Sequence, residues 1–285
     1  MKKIRIYIEL NKSKFEAIDI SQTQLELTKD NLTTNFLDQQ VKIYKDDQHN
    51  HFNYLINVMR QKIASQIYIF DGKSGEFLSE IIAIDKKSLT LKILKKTCDF
   101  SQSSKITLAF ALVKSNYLER IALQASELGV IKFQPLITQH SIIDKFNEQR
   151  FFANVKEACE QCERVDVPEI MAVAKLSDFL DKLDEKNQLL ILADESSNSS
   201  DANEVLAKLK ADDLFNKCQE IIVFVGPEGG YSSAEFKQFY SKKNLVNISL
   251  GKRILKVDTA IVASLALIQS YTKSISLNKI ITKYF

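Results

Sequence analysis

Residues 221–235 read IIVFVGPEGGYSSAE. Ile221 to Val225 form a short apolar run without polar alternation, the pattern of a strand covered on both faces of a parallel sheet. The run passes directly into Gly226-Pro227-Glu228-Gly229-Gly230. Ser232 and Glu235 follow, spaced as a helix capping box. The chain has 7 glycines in 285 residues, and three of them stand in this loop. Glycine so concentrated marks a backbone that bends unusually or approaches something closely. Ligands bind at the carboxyl ends of strands in open α/β sheets, and the free N–H groups at a helix start attract polar or negative atoms. The stretch is either a bare strand-to-helix turn or one wall of a ligand cradle.

A second stretch of the same kind lies downstream. LVNISLG (245–251) reads as a strand, and LGKRILKVDTA (250–260) carries it into the last helix, Thr259 to Tyr271. Arg253, Lys256 and Asp258 alternate there with Ile254, Leu255 and Val257, so the loop can hold an apolar body and pair a charge. Taken alone it is as well explained by solvated charges. Two such loops after two strands of one sheet favour a shared pocket.

Upstream, ITLAFALV (106–113), KFQPLIT (132–138) and LLILADE (189–195) read as further buried strands. A helix is expected from Asn116, with Glu119 as capping-box partner and Gly129 as its stop. SSNSSDAN (196–203) reads as a polar loop. The alternation of strands and helices predicts an α/β domain with a parallel sheet over residues 105–285. TAIVASLALIQSY (259–271) is apolar nearly all round, which calls for burial on more than one side, with a second copy of the chain as the simplest cover.

The first hundred residues have another rhythm. IRIYIEL (4–10), QIYIFDG (66–72), FLSEIIAI (77–84) and SLTLKIL (88–94) read as strands, and Asn57 to Lys62 as a short helix. A small β-rich barrel over residues 1–100 is expected, joined by the polar link FSQSS (100–104). Two domains agree with the length at roughly 150 residues each. Residues 1–100 hold 16 Lys and Arg against 13 Asp and Glu, and the rest 23 against 23, which makes up the net charge of +3. The small basic excess of the first third points mildly to nucleic acid. No apolar run approaches the ~20 residues of a membrane span and no signal peptide is read, so the expected location is the cytoplasm.

In the helix expected over 148–164, Phe151, Val155, Ala158, Cys159 and Cys162 share one face. The CxxC thus reads as two core thiols, with Glu157, Glu160, Gln161 and Arg164 on the opposite stripe. No second ligand pair accompanies it, and His49, His51 and His140 lack metal spacing, so no metal is expected. GxGxxG, P-loop, GxSxG and HExxH patterns are absent.

SELGV (126–130), EACEQCER (157–164), VPEI (167–170), VGPEGG (225–230) and LGKRILKVDTA (250–260), in that order, resemble the RsmE-type ribosomal RNA uridine-N3 methyltransferases of the SPOUT superfamily. RIYI near the start and FDG (70–72) fit the family's PUA-like N-terminal barrel. The resemblance implies a C-terminal SPOUT domain threaded into a trefoil knot, a homodimer, and S-adenosyl-L-methionine as cofactor. It implies the small ribosomal subunit, through uridine 1498 of its 16S rRNA in standard numbering, as substrate. The cofactor contacts it implies are Gly226, Glu228, Gly229, Gly230, Leu250, Gly251, Ile254, Leu255, Thr259 and Ala260. Arg253 would stabilise negative charge on a uracil oxygen or contact phosphate. Asp258 or Glu228 would accept the N3 proton, or else brace the loops as salt bridges. Gln161, Arg164, Lys114 and Arg5 would line the RNA side. The chain departs from the family where RILR followed by TETA becomes Arg253-Ile254-Leu255-Lys256 and Val257-Asp258-Thr259-Ala260. Gln124, His140 and Tyr117 stand where basic residues are common. A non-catalytic RNA-binding or assembly protein with the same fold is the second reading, and a nucleotide-binding regulator the third.

Overall fold

The computed structural model describes residues 3–10, 36–45, 50–142, 145–194 and 200–272. They fall into two compact units, one made of residues 1–102 with 159–167, the other of residues 103–158 with 168–285.

The first unit is built on a five-stranded sheet in the order β1 (Arg5–Tyr7), β3 (Gln66–Phe70), β4 (Glu76–Ile84), β5 (Ser88–Cys98), β2 (Gln40–Tyr44). β1 and β3 are parallel; the other pairs are antiparallel. Alternate residues point to one core: Val41 and Ile43, Ile67 and Ile69, Leu89, Leu91 and Ile93, with Ile6 and Ile81. Three register shifts between β4 and β5 bend the sheet over that core. The helical segment lies earlier than its expected place at 57–62. His51–Asn53 is α-helical and Tyr54–Val58 continues as a π-helix, because Phe52 and Leu55 are the side chains that reach the core. Arg60, at φ 51°, leaves the helical region.

A buried ionic cluster holds this unit together. The Arg5 Nε donates to Glu76 Oε2 (2.7 Å), Nη1 to the Cys159 carbonyl (2.6 Å) and Nη2 to the Arg164 carbonyl (2.5 Å). Its guanidinium lies 3.6 Å from the Phe70 ring centroid. Arg164 grips Asp166 through Nε (3.0 Å) and Nη2 (2.7 Å). Burial pushes Glu76 up, but hydrogen bonds from Arg5, Thr97 and Lys3 outweigh it and hold the carboxyl below its ordinary range.

The second unit carries a parallel sheet in the order β11 (Ser200–Asp201), β13 (Leu245–Ser249), β10 (Gln188–Ala193), β12 (Glu220–Val225), β6 (Ile106–Ala111), β7 (Lys132–Ile137), β8 (Glu169–Ile170), with β9 (Ala174–Lys175) also on β7. Every pairing is parallel. β6 is buried at all six positions, which accounts for a sequence that is apolar except at Thr107, whose hydroxyl donates to Glu220. The chain runs β10, β12, β13, yet β12 and β13 lie on opposite sides of β10. That crossover brings the loops after three neighbouring strands to one edge of the sheet.

The helices are α1 (Ser115–Glu127), α2 (Glu148–Gln161), α3 (Leu176–Leu180), α4 (Ala202–Ala211), α5 (Leu214–Lys217), α6 (Ser233–Tyr240) and α7 (Val257–Thr272). Gly129, at φ 74°, ends α1 as expected. The expected capping box at Asn116 is not formed: the N-cap is Lys114, one residue before the helix, with no side-chain cap. α2 keeps Phe151, Val155, Ala158 and Cys159 buried, but Cys162 is exposed rather than in the core. The helix ends at Gln161, and Glu163 turns to φ 60°, so Cys162 falls outside the helical stripe. Burial pushes the Cys159 thiol up to about 12. Residues 195–199 of the expected polar loop lie outside the described residues. α7 packs on α1, α4 and β12, burying Val257, Ile261, Leu265 and Ile268.

Candidate cofactor and active site

The loops after β10, β12 and β13 enclose a cavity of about 450 Å³, within the range of small-molecule pockets. The β12 loop supplies Val225 to Tyr231, the β13 loop Leu250, Gly251, Arg253, Ile254 and Leu255, the end of β10 Ala193 and Asp194, and the helices Phe236, Val257 and Ala260. Among the described residues its lining carries the charged groups Asp194, Glu228 and Arg253.

The glycines serve different needs. Gly230 (φ 66°) and Gly251 (φ 111°) adopt the left-handed region, and a Cβ added at either meets nothing within 4 Å. They are required by conformation and leave open space beside the backbone. Gly226 and Gly229 sit in tight surroundings. A Cβ would sit 3.0 Å from the Tyr231 ring at Gly226 and 3.1 Å from the His140 Cβ at Gly229. The loop is closed by the Gly230 N–H donating to the Pro227 carbonyl (2.9 Å). It then enters α6 through the expected capping box, in which Ser232 Oγ accepts from the Glu235 N–H (3.3 Å) and Glu235 Oε2 accepts from the Ser232 N–H (2.7 Å). Such a cap contributes about 1 kcal/mol. The Tyr231 hydroxyl is buried with no hydrogen-bond partner among the described residues, and burial raises its pKa.

The structure gathers nearly all the residues expected at a cofactor site: Gly226, Glu228, Gly229, Gly230, Leu250, Gly251, Ile254, Leu255 and Ala260, with Arg253 among them. Thr259 is exposed and does not line the cavity. Asp258 does not line it either. It is 6 % exposed, accepts from Arg120 Nη1 (2.9 Å) and takes the Thr259 N–H (3.0 Å). Of its two expected roles, this is the brace. On the expected RNA side, Lys114 and Gln161 are exposed. Arg5 and Arg164 are not: at 4 % and 8 % exposure they are bonded inside their own unit, a structural placement in place of an RNA-facing one. Asp194, Tyr231 and Phe236 line the cavity beyond the residues that the motifs point to, although Asp194 directly follows the last residue of β10 and so stands where ligands bind. Among the described residues no group of three His, Cys, Asp or Glu is placed to hold a metal ion, and no helix is long and apolar enough to cross a membrane.

Comparison with known proteins gives the same outline. Residues 101–269 match the model of an RNA methyltransferase domain, and residues 50–94 that of an RNA methyltransferase PUA domain. The chain is 33 % identical over 217 residues to ribosomal RNA small subunit methyltransferase E of Rickettsia conorii, covering 76 % of this chain and 85 % of that one. Against the Bacillus subtilis protein of the same name it is 26 % identical over 228 residues, covering 78 % and 88 %. A methyltransferase from Legionella pneumophila, solved with bound SAM, has a TM-score of 0.72 at 23 % identity, covering 95 % of this chain and 98 % of that one. The Neisseria gonorrhoeae ribosomal RNA small subunit methyltransferase E, bound to S-adenosyl methionine, gives 0.70 at 24 %, covering 94 % and 98 %. The arrangement expected from the sequence, a PUA-like β unit and a parallel α/β unit, is the fold observed.

Proposed function

Because the chain belongs to the ribosomal RNA small subunit methyltransferase E family, we propose that it transfers the methyl group of S-adenosyl-L-methionine to N3 of a uridine in 16S rRNA, uridine 1498 in standard numbering. The observation that carries this is the cavity at three adjacent strand ends, with its open glycine backbone and the Asp194 and Glu228 carboxylates on its wall. Both features fit the donor, which when bound supplies a methyl already activated on a cationic sulfur.

Gly226, Gly229, Gly230, Leu250, Gly251 and Leu255 hold the donor by close backbone approach, and Ile254 and Ala260 give apolar contact. Arg253, on the cavity wall and exposed, faces the acceptor base and stabilises the negative oxygen that develops as the uracil loses its N3 proton. Glu228, also exposed on the wall, accepts that proton directly or through water. Asp258 is already committed to Arg120 and positions the start of α7. The base must be unpaired or flipped to reach the cavity. Alignment of the two reactants supplies much of the rate, with ~7–11 kcal/mol as the upper range of such effects. The homodimer, the trefoil knot and the cytoplasmic location belong to the same proposal, as does RNA contact by the exposed Lys114 and Gln161.

Deleting the gene and mapping N3-methyluridine in small-subunit RNA by primer-extension stops tests the assignment. Loss of one stop, restored by the wild-type gene, is expected; an unchanged map overturns it. Arg253→Ala is expected to bind S-adenosylhomocysteine normally and to lose turnover by about 100-fold or more, the scale of removing one electrostatic stabiliser. Unchanged turnover removes Arg253 from the mechanism.

A further inference from the structure

The turn after β7 touches the cofactor loop at two points, and neither the sequence motifs nor the family match assigns it a role. The turn is itself tied: the Thr138 N–H donates to Ser141 Oγ (2.9 Å), and the Ser141 N–H donates to the Thr138 carbonyl (3.1 Å). From this frame the Gln139 N–H donates to Glu235 Oε1 (2.8 Å), the carboxylate whose other oxygen caps α6. The next residue, His140, places Nδ1 3.0 Å from the Gly229 carbonyl and 3.1 Å from the Gly230 carbonyl. Both partners are carbonyl oxygens, which only accept, so the hydrogen must reside on Nδ1. The approach is close: a Cβ added at Gly229 would lie 3.1 Å from the His140 Cβ, so His140 would have to give by a few tenths of an ångström to admit it.

We propose that His140 is a positioning residue for the cofactor: its Nδ1–H latches the Gly229 and Gly230 carbonyls and so fixes the wall of the cavity that receives the methyl donor. The latch spans 89 and 90 residues of sequence and joins the loop after one strand to the loop after another in the same sheet. With both carbonyls turned to His140, the glycine loop is held in the arrangement that lines the cavity. Without the latch the loop, rich in glycine, samples others, and donor binding must then select the competent one. A hydrogen-bond donor at the reach of Nδ1 is what the site requires, and the side-chain amide of Asn offers one at nearly the same distance from the backbone.

The inference rests on the methyl-donor reading above, and the test separates the two. S-adenosylhomocysteine is titrated calorimetrically into wild type, His140→Ala and His140→Asn. Wild-type binding is expected, with Kd raised about three- to tenfold in His140→Ala, the scale of one net hydrogen bond, and returned to within about twofold of wild type in His140→Asn. Failure of the wild type to bind overturns the methyl-donor reading and the latch with it. Wild-type binding with an unchanged Kd in His140→Ala, or equal losses in both variants, overturns the latch alone. Nitrogen-15 spectra of the free wild-type protein give a readout independent of ligand: the neutral His140 ring is expected as the Nδ1–H tautomer, and an Nε2–H ring overturns the latch even if a variant fails to fold.

Discussion

The two units meet the problem of buried polar groups in opposite ways. The first closes on itself through charge: Arg5, Glu76, Arg164 and Asp166 are all buried, and the Arg5 guanidinium has an acceptor on each nitrogen. The second leaves backbone open at the ends of β10, β12 and β13 and shapes it with glycine and one imidazole. A buried ionic cluster whose guanidinium is held at every nitrogen is closed off from a guest by burial. An open glycine cradle has donors and space but little to hold its own shape. The lesson is that buried arginine marks a brace, whereas glycine at strand ends marks a receptor.

The largest test of that contrast is Arg5→Met. It leaves Glu76 with only Lys3 and Thr97 and strands the Cys159 and Arg164 carbonyls in the interior, at a cost of about 1–3 kcal/mol for each unsatisfied acceptor. Chemical denaturation is expected to show that loss, while S-adenosylhomocysteine affinity, measured on the folded fraction, stays within about twofold. A large fall in affinity at unchanged stability would reverse the roles assigned to the two regions. Gly230→Ala should do the converse. Forcing a Cβ into a left-handed backbone costs about 1–2 kcal/mol, and here the greater effect is expected on ligand affinity, read in the same titration. The smallest effect is on pH dependence. Glu76 sits below its ordinary value in the folded state, so its contribution is full above the unfolded pKa near 4.5 and is lost as pH falls through the lower folded value. Stability profiles of wild type and Glu76→Gln should differ at neutral pH and converge in that acid range. Parallel profiles would show that the carboxylate is not what the cluster depends on.

Features whose partners are close in sequence are legible from the residues alone. The Ser232–Glu235 capping box, the Gly129 stop and the largely apolar strands follow from neighbours within a few residues. The cavity is legible for a related reason, since each wall is a continuous loop after a continuous strand. Partners set by folding are not legible in this way. Arg5 meets Glu76 across 71 residues and Asp258 meets Arg120 across 138, so local pattern does not tell a brace from an RNA contact or a base. Helical period carried one residue beyond Gln161 puts Cys162 in the core, whereas the helix stops there and leaves the thiol exposed. The N-cap at Lys114 instead of Asn116 is a shift of two residues, and it removes the cap, because capping depends on register.

Two of the acceptors for the Arg5 guanidinium, the carbonyls of Cys159 and Arg164, come from a segment more than fifty residues beyond the end of the β-rich stretch. The first unit therefore cannot be excised with a single cut. A fragment ending at residue 102 would carry a cation stripped of most of its cage, and any attempt to graft, swap or express this half must bring residues 159–167 along as a separate piece of chain.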